Sequence, residues 1–578
     1  MHVVATAGHV DHGKSTLVRA LTGHNPDRLE EEHRRGLSIR LGYCWTELPG
    51  AGEVAFVDVP GHERFVTTML SGVGPVPAVL LVVAADDPWM PQAAEHLAAL
   101  DALGVENGVL VVTRSDLADP GAALERARAE VDGTSLRGIP HVLVSGRTGD
   151  GLATLKGALV EMVSGLPTPD PHADVRLWVD RRFHVRGTGT VITGTLPAGT
   201  VHVGDVLSWS GHQVRVCNVE ALGRPRRSMS GVARVALAVT GKVPDDLGTG
   251  TTIVTPDAYV DTHAVDVRLR SRPAARLPAE PVLHVGAASV SVHVRPLGEG
   301  FARLVLGRPL PLRIGDRAVL RDPGSRQVWG VDVLDPLPPA LRRRGAAVAR
   351  AKDLVSVDGS VAAEVAVRGV VQRDLLRRLG AHRDDVAAGT LAVGDWLVAA
   401  DRADEMRDAL LRAVRESGAE GISLGAAARA AGAPDPTVAA ALLTSDPSCV
   451  VEGGRARVRT VTLPQRWAAA AETLAADFAT DPLAAPDTDR LRRLGLDAAA
   501  LVALARHGLV LRVSETVVLG PDADVVALAR LAELPQPFTV SEARRALGST
   551  RRVVLPLLAH LDRTGRTARL PDDTRRLR

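Results

Sequence analysis

The chain has 578 residues, of which 46% are hydrophobic and 24% are charged, and its formal net charge is +2. This is the composition of an ordinary globular protein, and the length suggests about four domains. No apolar run reaches the roughly 18 residues that a membrane-spanning helix needs, so we expect no membrane partner.

The three cysteines, Cys44, Cys217 and Cys449, are isolated in the sequence and form no Cys-x-x-Cys pair. The pattern argues against a disulfide framework and against a zinc site, and it favours a reducing compartment. We therefore expect a cytoplasmic protein. Nothing in the sequence suggests an oligomer, so we expect a monomer.

Residues 1 to about 170 alternate strand-like runs with helix-like stretches. The runs VAFVDVPG, AVLLVVAAD and GVLVVTRSD are continuous, apolar and rich in β-branched residues, and each is followed by a loop and a helical pattern. Such runs predict parallel strands covered on both faces by helices. We expect an α/β domain with a mostly parallel sheet over residues 1–172.

The pattern changes at about residue 174. Short alternating strands punctuated by Gly and Pro continue to about residue 336 with little helical pattern. This texture is typical of β-barrels. We expect two barrels, over residues 173–257 and 258–337, with a break near the turn at Pro256 and Asp257.

The remainder of the chain is helical in pattern and rich in Ala and Arg. Candidate two-strand hairpins begin at Thr390, Cys449, Gly508 and Arg566, at spacings of 59, 59 and 58 residues. Helices followed by a hairpin in units of about 60 residues describe a winged helix, and a regular period indicates an array. One irregular helical domain is the alternative, and the even spacing favours the array. The expected modules are 338–402, 403–462, 463–522 and 523–578.

The segment TAGHVDHGKSTL, residues 6–17, follows the first predicted strand and begins a helix. It holds Gly8, Gly13, Lys14 and Ser15 in the order Gly-x-x-x-x-Gly-Lys-Ser, the pattern of a loop whose backbone N–H groups bind phosphates. The chain has only four lysines among 69 basic residues, so a lysine kept here points to chemistry. The expected phosphate-binding residues are Asp11, His12, Gly13, Lys14, Ser15, Thr16 and Gly61.

Polar residues at later strand ends extend this site. Asp58 ends a buried strand, where a carboxylate can bind Mg²⁺ together with the Ser15 hydroxyl. Asp116 can accept hydrogen bonds from N1–H and the 2-amino group of guanine, a donor pair that adenine lacks. Ser145 and Gly146 end the last strand, where a backbone N–H can reach the guanine O6. Since open α/β sheets bind ligands at the carboxyl ends of their strands, the chain is predicted to bind GTP and GDP.

The motifs Gly-His-Val-Asp-His-Gly-Lys, Asp-Val-Pro-Gly-His-Glu and Arg-Gly-Leu-Ser-Ile resemble those of the translational GTPases, the class of elongation factor Tu. The resemblance implies ribosome-stimulated hydrolysis of GTP, in which His62 orients the attacking water beside an apolar gate of Val10 and Ile39. It also implies that Asp11 helps to bind a monovalent cation. Ser38 stands where the family has a threonine that closes over Mg²⁺.

The family's Asn/Thr-Lys-x-Asp motif reads here Thr-Arg-Ser-Asp, and Gly146 replaces the usual Ala. The arginine stem can still stack on the base, and glycine keeps its backbone donor. These departures concern rates and affinities more than the identity of the nucleotide. The implied guanine-binding residues are Thr113, Arg114, Asp116, Ser145 and Gly146, and the implied magnesium ligands are Ser15, Ser38 and Asp58.

Within that class, NPDRLEEEHRRGLSIRLGY, FVDVPGHERFVTTMLSGVG and QAAEHL resemble the selenocysteine-specific elongation factors, although Arg40 replaces an Asp and Ala93 a common Thr of their pattern. VDRRFHVRGTGTVITGT resembles their second domain, LGRPLPLRIGDRAVLRD their third and GSTRRVVLPLLAHLDRTGRTAR their last winged helix. The resemblance therefore covers essentially the whole chain. Bacterial members of that family carry four tandem winged helices after three Tu-like domains.

The resemblance implies that the chain delivers selenocysteyl-tRNA to the ribosome at UGA codons marked by an mRNA hairpin. A selenol is largely ionised at neutral pH whereas serine on the same tRNA is neutral, so a basic pocket can discriminate between them. Asp180, Arg181 and Arg234 match the pocket of the family's second domain. The alternative is a surface ion pair beside a solvated barrel arginine.

The last module carries a group of arginines that are predicted to bind the hairpin. Arginine can both bind phosphate with its forked guanidinium and stack on unpaired bases. The alternative is a generic basic terminus. The predicted RNA-binding residues are Arg551, Arg552, Arg563, Arg566 and Arg569.

Two other functions share part of this pattern. A general aminoacyl-tRNA carrier or an initiation-type GTPase would share residues 1–336 but has no need of the helical array. A non-catalytic, nucleotide-gated RNA-binding adaptor would follow if the substitutions at Ser38 and Arg114 weakened hydrolysis. The rest of the nucleotide site is intact, which argues against the adaptor.

Overall fold

The computed structural model describes residues 1–26, 38, 40–62, 65–87, 89–241, 246–270, 277–298, 300–381, 389–459 and 465–577. The chain forms two compact units, one of Met1–Ala409 with Ala431–Leu442 and one of Leu410–Ala430 with Leu443–Arg578. In the described part of the chain, no helix is both long and apolar enough to cross a membrane.

The first domain is a six-stranded sheet with helices on both faces. Its order is β2-β3-β1-β4-β5-β6, and every pairing is parallel except that of β2 with β3. The mostly parallel sheet predicted from the apolar runs is confirmed. Its strands are β1 (His2–Ala7), β2 (Gly42–Leu48), β3 (Gly52–Asp58), β4 (Ala78–Ala84), β5 (Asn107–Thr113) and β6 (His141–Leu143), and its helices are α1 (Lys14–Thr22), α2 (Val66–Val73), α3 (Pro91–Leu103), α4 (Gly121–Val131) and α5 (Leu152–Ser164).

The next part of the chain is a barrel. The sheet order is β10-β15-β7-β8-β14-β11-β12, and the pairing of β10 with β11 closes it. A short hairpin of β9 and β13 lies beside it. The strands are β7 (Arg176–Val185), β8 (Gly189–Leu196), β9 (Thr200–His202), β10 (Val206–Trp209), β11 (His212–Ala221), β12 (Arg224–Arg226), β13 (Ser228–Ser230), β14 (Ala233–Gly241) and β15 (Thr252–Val254).

A second closed barrel follows, in the order β16-β19-β18-β17-β20-β21. Two barrels were predicted from the alternating pattern, and both are confirmed; the residue boundaries of the domains remain predictions. The strands of the second barrel are β16 (Asp261–Leu269), β17 (Val282–Val285), β18 (Ala288–Gly298), β19 (Phe301–Pro311), β20 (Arg317–Arg321) and β21 (Val328–Asp335).

The second barrel packs against the first domain through α3. Arg321 donates a 3.0 Å hydrogen bond to Glu95 on that helix. Gly330 of β21 lies against the end of α3 so closely that a Cβ on it would be 2.3 Å from the carbonyl oxygen of Ala102. The same helix contacts the phosphate loop, because His96 of α3 accepts a hydrogen bond from the Gly8 amide. The second barrel and the candidate nucleotide site therefore pack against one helix.

Buried charges join the second barrel to the helices that follow it. Asp266 accepts hydrogen bonds from Arg303 at 2.7 and 3.0 Å and from Arg350 at 2.7 Å, and Asp335 accepts from Arg350 and from Arg368. Buried charges persist in proteins when they are paired and hydrogen-bonded in this way. The junction at the start of the helical region is therefore specified by complementary charge as well as by apolar packing.

The helical region contains four successive groups of three helices, each with a hairpin where the repeat predicts one. The first has α6 (Ala346–Val355), α7 (Val361–Arg368), α8 (Arg373–Leu379), β22 (Val370–Gln372), β23 (Leu391–Val393) and β24 (Trp396–Val398). The second has α9 (Ala400–Glu416), α10 (Leu424–Ala431), α11 (Pro436–Thr444), β25 (Ile422–Ser423), β26 (Cys449–Glu452) and β27 (Arg455–Val458). The third has α12 (Gln465–Thr480), α13 (Thr488–Arg493), α14 (Ala498–Arg506), β28 (Leu511–Arg512) and β29 (Val518–Leu519).

The last group has α15 (Ala523–Ala532), α16 (Val540–Ala546), α17 (Arg551–Arg563), β30 (Thr567–Arg569) and β31 (Arg575–Leu577). A capping box begins α16: Thr539 Oγ1 accepts from the Glu542 amide at 3.2 Å, and the Thr539 amide donates to the Glu542 carboxylate at 2.7 Å. Three helices with a C-terminal hairpin confirm a winged helix here. The assignment of the first three groups as winged helices remains a prediction.

Candidate functional site

The phosphate loop joins β1 to α1. Gly8 has φ +135°, and a Cβ on it would lie 2.2 Å from the carbonyl oxygen of Val82, so only glycine fits there. Gly13 has φ 79° and precedes the first residue of α1. The free N–H groups at a helix N-terminus form an anion site, and this loop leads directly into the N-terminus of α1.

Lys14 is buried within this loop. Its ammonium donates hydrogen bonds to the carbonyl oxygens of Gly8, at 2.9 Å, and His9, at 2.6 Å. A Cβ on Gly61 would lie 2.4 Å from that ammonium nitrogen and 2.5 Å from the backbone nitrogen of Val10. Lys14 and Gly61 therefore share one small space with the loop backbone, and a side chain at position 61 has no room there.

The three predicted magnesium ligands lie together. Ser15 Oγ donates to Asp58 Oδ2 at 2.6 Å and is 3.2 Å from Ser38 Oγ. Thr6 Oγ1 donates to the other carboxylate oxygen of Asp58 at 2.7 Å and accepts from the amide of Val59 at 3.1 Å, which orients the carboxylate. Two hydroxyls and a carboxylate are the hard oxygen donors that Mg²⁺ prefers, so this set fits that ion.

His62 lies half-buried directly after Gly61. Its carbonyl oxygen accepts a 2.9 Å hydrogen bond from the Phe65 amide, and the two rings are 6.0 Å apart. Val10, one predicted gate residue, lies against Gly61. The other predicted gate residue, Ile39, lies outside the described residues.

The predicted guanine-binding residues lie at the carboxyl ends of β5 and β6. Thr113 Oγ1 donates to the carbonyl oxygen of His12 at 2.7 Å, which ties this strand end to the phosphate loop. Arg114 has φ 57°, forms a 3.1 Å ion pair with Asp86 and also donates to the carbonyl oxygen of Asp11. The arginine that replaces the family's lysine is thus held by one contact to the phosphate loop and one to the segment after β4.

Asp116 is exposed to solvent, as a base-binding carboxylate must be. The buried Ser145 Oγ accepts from the amides of Arg147, at 3.3 Å, and Thr148, at 3.1 Å. A Cβ on Gly146 would lie 3.2 Å from the methyl group of Thr16, so the family's alanine would crowd that side chain. Glycine at this position therefore matches its neighbour on α1.

The side chain of His12 points away from the phosphate space. Its Nδ1 donates to the carbonyl oxygen of Val82 at 3.3 Å, and burial, followed by the charge of His9, lowers its pKa to about 4. His96 on α3 accepts a 3.1 Å hydrogen bond from the Gly8 amide through Nδ1. Burial and then the charge of Lys14 lower the pKa of His96 to about 3, so both rings are neutral near pH 7.

The three predicted pocket residues lie where the first barrel meets β2. Asp180 and Arg234 form a buried two-pronged ion pair, and Thr193 Oγ1 donates to Asp180 at 2.8 Å. The guanidinium carbons of Arg234 and Arg181 lie 3.8 and 4.9 Å from the ring centre of Tyr43. Burial opposes the charge on Arg234, but Asp180 and Tyr43 outweigh it and raise the pKa of Arg234.

A cavity of about 160 Å³ opens beside this cluster. Arg234, Thr193 and Tyr43 line it together with Trp45 and Glu220. Asp180, Arg181 and Arg234 together carry one net positive charge, which Glu220 in the lining balances, so the cavity presents one arginine and one carboxylate to a small group between the first domain and the barrel.

The predicted RNA-binding arginines are exposed in the last winged helix. Arg551 and Arg552 begin α17, and Arg563 ends it. Arg566 precedes β30, and Arg569 on that strand forms a 2.5 Å ion pair with Asp573. These residues lie on two elements of one module.

Sequence reasoning missed Tyr43, Thr193 and His96. Tyr43 is one of only two tyrosines in the chain, and the other, Tyr259, is likewise stacked by two arginines. Two signals were available for Tyr43: its rarity, and its place at the end of the family-like stretch NPDRLEEEHRRGLSIRLGY. His96 lies in the family-like stretch QAAEHL, but no pattern within the chain connects it to Gly8.

Comparison with known families gives three matches. Residues 1–165 match the family model described as the elongation factor Tu GTP binding domain. Residues 263–340 match that of the selenocysteine-specific elongation factor, beta-barrel domain, and residues 529–577 match that of the elongation factor SelB, winged helix.

Two curated relatives are selenocysteine-specific elongation factors. That of Desulfomicrobium baculatum is 35% identical over 361 residues, which are 59% of this chain and 57% of that protein. That of Escherichia coli K12 is 36% identical over 353 residues, covering 59% of this chain and 56% of that protein. The chain thus matches a little over half of the length of these relatives.

A third relative is the translation initiation factor 2 subunit gamma of Thermococcus onnurineus. It is 30% identical over 397 residues, which are 56% of this chain and 94% of that protein. The similarity to translational GTPases therefore extends beyond the selenocysteine-specific factors.

Among solved structures, a bacterial selenocysteine-specific elongation factor, EF-Sec, matches with a TM-score of 0.71 and 23% identity over the whole of both chains. Elongation factor SelB of Methanococcus maripaludis, in complex with the GTP analogue GppNHp, matches with a TM-score of 0.51 and 20% identity over 57% of this chain and 78% of that one. These two likenesses establish the fold. The sequence matches place the chain among the translational GTPases, and within them it is similar to the selenocysteine-specific elongation factors.

Proposed function

We propose that this chain delivers selenocysteyl-tRNA to the ribosome in a GTP-dependent manner, at UGA codons marked by an mRNA hairpin. The observation that carries the proposal is the cavity beside Arg234 and Tyr43, because it places an arginine stacked on a tyrosine where the aminoacyl end of a tRNA could enter, at the junction of the first domain and the first barrel.

In this proposal the first domain binds GTP or GDP with Mg²⁺. Lys14 and the loop amides bind the phosphates, and Ser15, Ser38 and Asp58 hold the ion, which neutralises charge on the phosphates when bound. Asp116 accepts hydrogen bonds from the guanine edge. Asp11, which is exposed on the same loop, helps to bind a monovalent cation.

His62 orients the water that attacks the terminal phosphate, giving GDP and phosphate. One of its ring nitrogens accepts a hydrogen bond from the water, as a positioned imidazole can. The codon-dependent contact with the ribosome completes this geometry, so that hydrolysis follows delivery. Before that contact with the ribosome forms, Val10, on one side of the gate, keeps the attacking water from the terminal phosphate.

The amino acid is recognised through charge. A selenolate is an anion and a serine hydroxyl is not, so an arginine that no carboxylate already pairs binds the first more tightly. Arg234 is not such a residue, because Asp180 balances it. Arg181, stacked on the same tyrosine, supplies the charge.

The last winged helix binds the mRNA hairpin in this proposal. Arg551 and Arg552 lie at the start of a helix, where the helix dipole also favours phosphate. Arg566 and Arg569 reach from the wing side, so the two sets can hold backbone and loop bases at once. The arginines that the structure exposes on one module support this assignment.

A general carrier or an initiation-type GTPase is the second candidate, because the match to the initiation factor covers 94% of that relative. That match spans 56% of this chain and does not account for the helical region that follows the barrels. An RNA-binding adaptor without catalysis is a third candidate, and it is tested below through His62.

Binding of charged tRNA tests the proposal. The full chain is mixed with selenocysteyl-tRNA, an elongator aminoacyl-tRNA or initiator tRNA, with Mg²⁺ and either a non-hydrolysable GTP analogue or GDP. We expect at least tenfold tighter binding of selenocysteyl-tRNA with the analogue than with GDP. Lys14→Ala should abolish the nucleotide dependence, and Lys156→Ala, an exposed lysine on α5, should keep it. Equal binding of the other tRNAs would contradict the proposal in favour of the general carrier.

A further inference from the structure

The side chains of two phosphate-loop histidines and of an aspartate after β4 form a cluster, and none of these three side chains has a role assigned in nucleotide binding. His9 Nδ1 is 3.9 Å, and His12 Nε2 is 3.3 Å, from Asp87 Oδ2. The three atoms lie within 4.8 Å of one another. Both histidines are buried, and Asp87 is about a quarter exposed.

The nitrogen of His12 that faces the cluster has no hydrogen-bond partner among the described residues. The other ring nitrogen faces the carbonyl oxygen of Val82, which can only accept, so Nδ1 carries the proton. In a neutral ring Nε2 is then a bare lone pair. It points at the Asp87 carboxylate, so two acceptors face each other in a buried place.

His9 differs from His12 in one respect. Its Nδ1 accepts a long, 3.4 Å hydrogen bond from the Asp11 amide, so a metal ion would have to replace that amide at its single lone pair. Two ring nitrogens without a proton and one carboxylate oxygen thus lie near one point. Buried acceptors that face each other are stabilised when a cation lies between them.

We propose that His9 Nδ1, His12 Nε2 and Asp87 Oδ2 bind a divalent transition-metal ion of the Zn²⁺ and Co²⁺ class. A tetrahedral site with ligands at about 2.0–2.2 Å places ligand atoms about 3.4 Å apart. The distances of 3.3 and 3.9 Å to Asp87 approach that value, and His9, whose Nδ1 lies within 4.8 Å of His12 Nε2, would move closer to complete the site. The isolated cysteines argued against a zinc site, but this one uses no thiolate.

Two imidazoles and one carboxylate distinguish this site from the magnesium site. Mg²⁺ favours oxygen ligands in near-octahedral geometry, whereas imidazole nitrogen favours later transition metals. The ammonium of Lys14 opposes a cation here, while the carboxylates of Asp11 and Asp87 favour one. The exposed edge of Asp87 leaves a fourth position for water. The ion would tie two points of the phosphate loop to the end of β4.

Titration with Co²⁺ tests the site independently of GTP hydrolysis. The full chain is treated with a chelator, exchanged into excess Mg²⁺ to saturate oxygen sites, and titrated while the visible spectrum is recorded. We expect one equivalent of Co²⁺ with the intense bands of a tetrahedral nitrogen-containing site, displaced by one equivalent of Zn²⁺. His9→Gln and Asp87→Asn should each weaken binding at least tenfold.

A second histidine–aspartate pair provides a matched control. His202 Nδ1 lies 3.5 Å from Asp205 on the surface of the first barrel, so His202→Gln removes an imidazole without touching the proposed site. It should bind Co²⁺ like the unchanged chain. Absence of binding by the unchanged chain would mean that His12 donates a proton to Asp87, and this overturns the proposal. Unaltered binding by Asp87→Asn, or the weak bands of a six-coordinate oxygen site, would overturn it too.

Discussion

The hydroxyl of Ser15 donates a 2.6 Å hydrogen bond to Asp58, although 43 positions separate the two residues in the chain. Ser15 lies in the first turn of α1, and Asp58 is the last residue of β3. The carboxyl end of a parallel strand and the N-terminus of the following helix meet at one edge of the sheet. The relationship therefore follows from the topology, and it defines where Mg²⁺ belongs.

Replacing Ser15 by alanine should weaken this ion site selectively. Ser15→Ala removes one oxygen ligand and leaves Asp58 held by Thr6, so we expect nucleotide binding to need at least tenfold more Mg²⁺. The measurement is release of a fluorescent GDP at increasing Mg²⁺. Ser164→Ala, which removes an exposed hydroxyl from α5, is the control and should behave like the unchanged chain. An unaltered Mg²⁺ dependence in Ser15→Ala would argue against the assigned ligands.

His62 is expected to act in hydrolysis and not in nucleotide binding. His62→Ala should lower ribosome-stimulated GTP turnover by about 10²–10⁴-fold, the usual contribution of a positioned acid or base. Affinity for GTP should change by less than about threefold, and His172→Ala, at an exposed position, should change neither. If the ribosome stimulates no GTP hydrolysis even by the unchanged chain, the protein is a non-catalytic adaptor and not a GTPase.

The arginines of the last winged helix are expected to bind RNA through phosphate. Arg551→Ala and Arg566→Ala should each weaken hairpin binding by about three- to tenfold and reduce the salt dependence by about one ion. Arg492→Ala removes an equally exposed arginine from the third helical group, and it should have no effect. Gel-shift titrations of the full chain with the hairpin that follows a UGA codon, at several salt concentrations, provide the measurement. Equal losses in all three variants would indicate a generic basic surface.

His284 of the second barrel should make stability depend on pH. Burial and then the charge of Arg321 lower its pKa to about 4, whereas an unfolded chain has a histidine pKa near 6.5. The unfolded state therefore binds more protons between these values, and stability falls as the pH drops from about 6.5 toward 4. Between pH 7 and pH 5 this one residue accounts for roughly 2 kcal/mol.

Unfolding by urea at pH 7 and pH 5 measures this effect. From pH 7 to pH 5, the urea concentration at the midpoint of unfolding should fall less for His284→Gln than for the unchanged chain. His293→Gln, at an exposed position on the neighbouring β18, should show the full loss. An identical pH dependence in all three chains would contradict the assignment.

Much of the nucleotide site was predictable because its residues follow strand ends. Asp58, Asp116 and Ser145 each come after a continuous apolar run, and parallel strands deliver such positions to one edge of a sheet. The hairpins were predictable for a different reason. A period of 58 to 59 residues repeats over three intervals, and strands lie at every position that it marks.

The pairings of side chains across domains were not predictable. The resemblance assigns Asp180 and Arg234 to a pocket. No pattern in the sequence indicates that the two charges pair with each other beside Tyr43. Likewise, no local pattern indicates that the ring of the predicted phosphate-loop residue His12 lies 3.3 Å from Asp87. Such contacts depend on where separate elements pack, and local sequence patterns carry no record of that.

Protection of the aminoacyl ester tests the central claim most directly. The tRNA for selenocysteine is loaded with selenocysteine or with serine, and spontaneous deacylation is followed with this chain and a non-hydrolysable GTP analogue. We predict protection of the selenocysteyl ester and not of the seryl ester. Arg181→Gln should lose most of the difference without leaving buried Asp180 unpaired, and Arg186→Gln, at an exposed position just after β7, should keep it. Equal protection of both esters, or of an elongator aminoacyl-tRNA, would contradict the account and identify a general carrier.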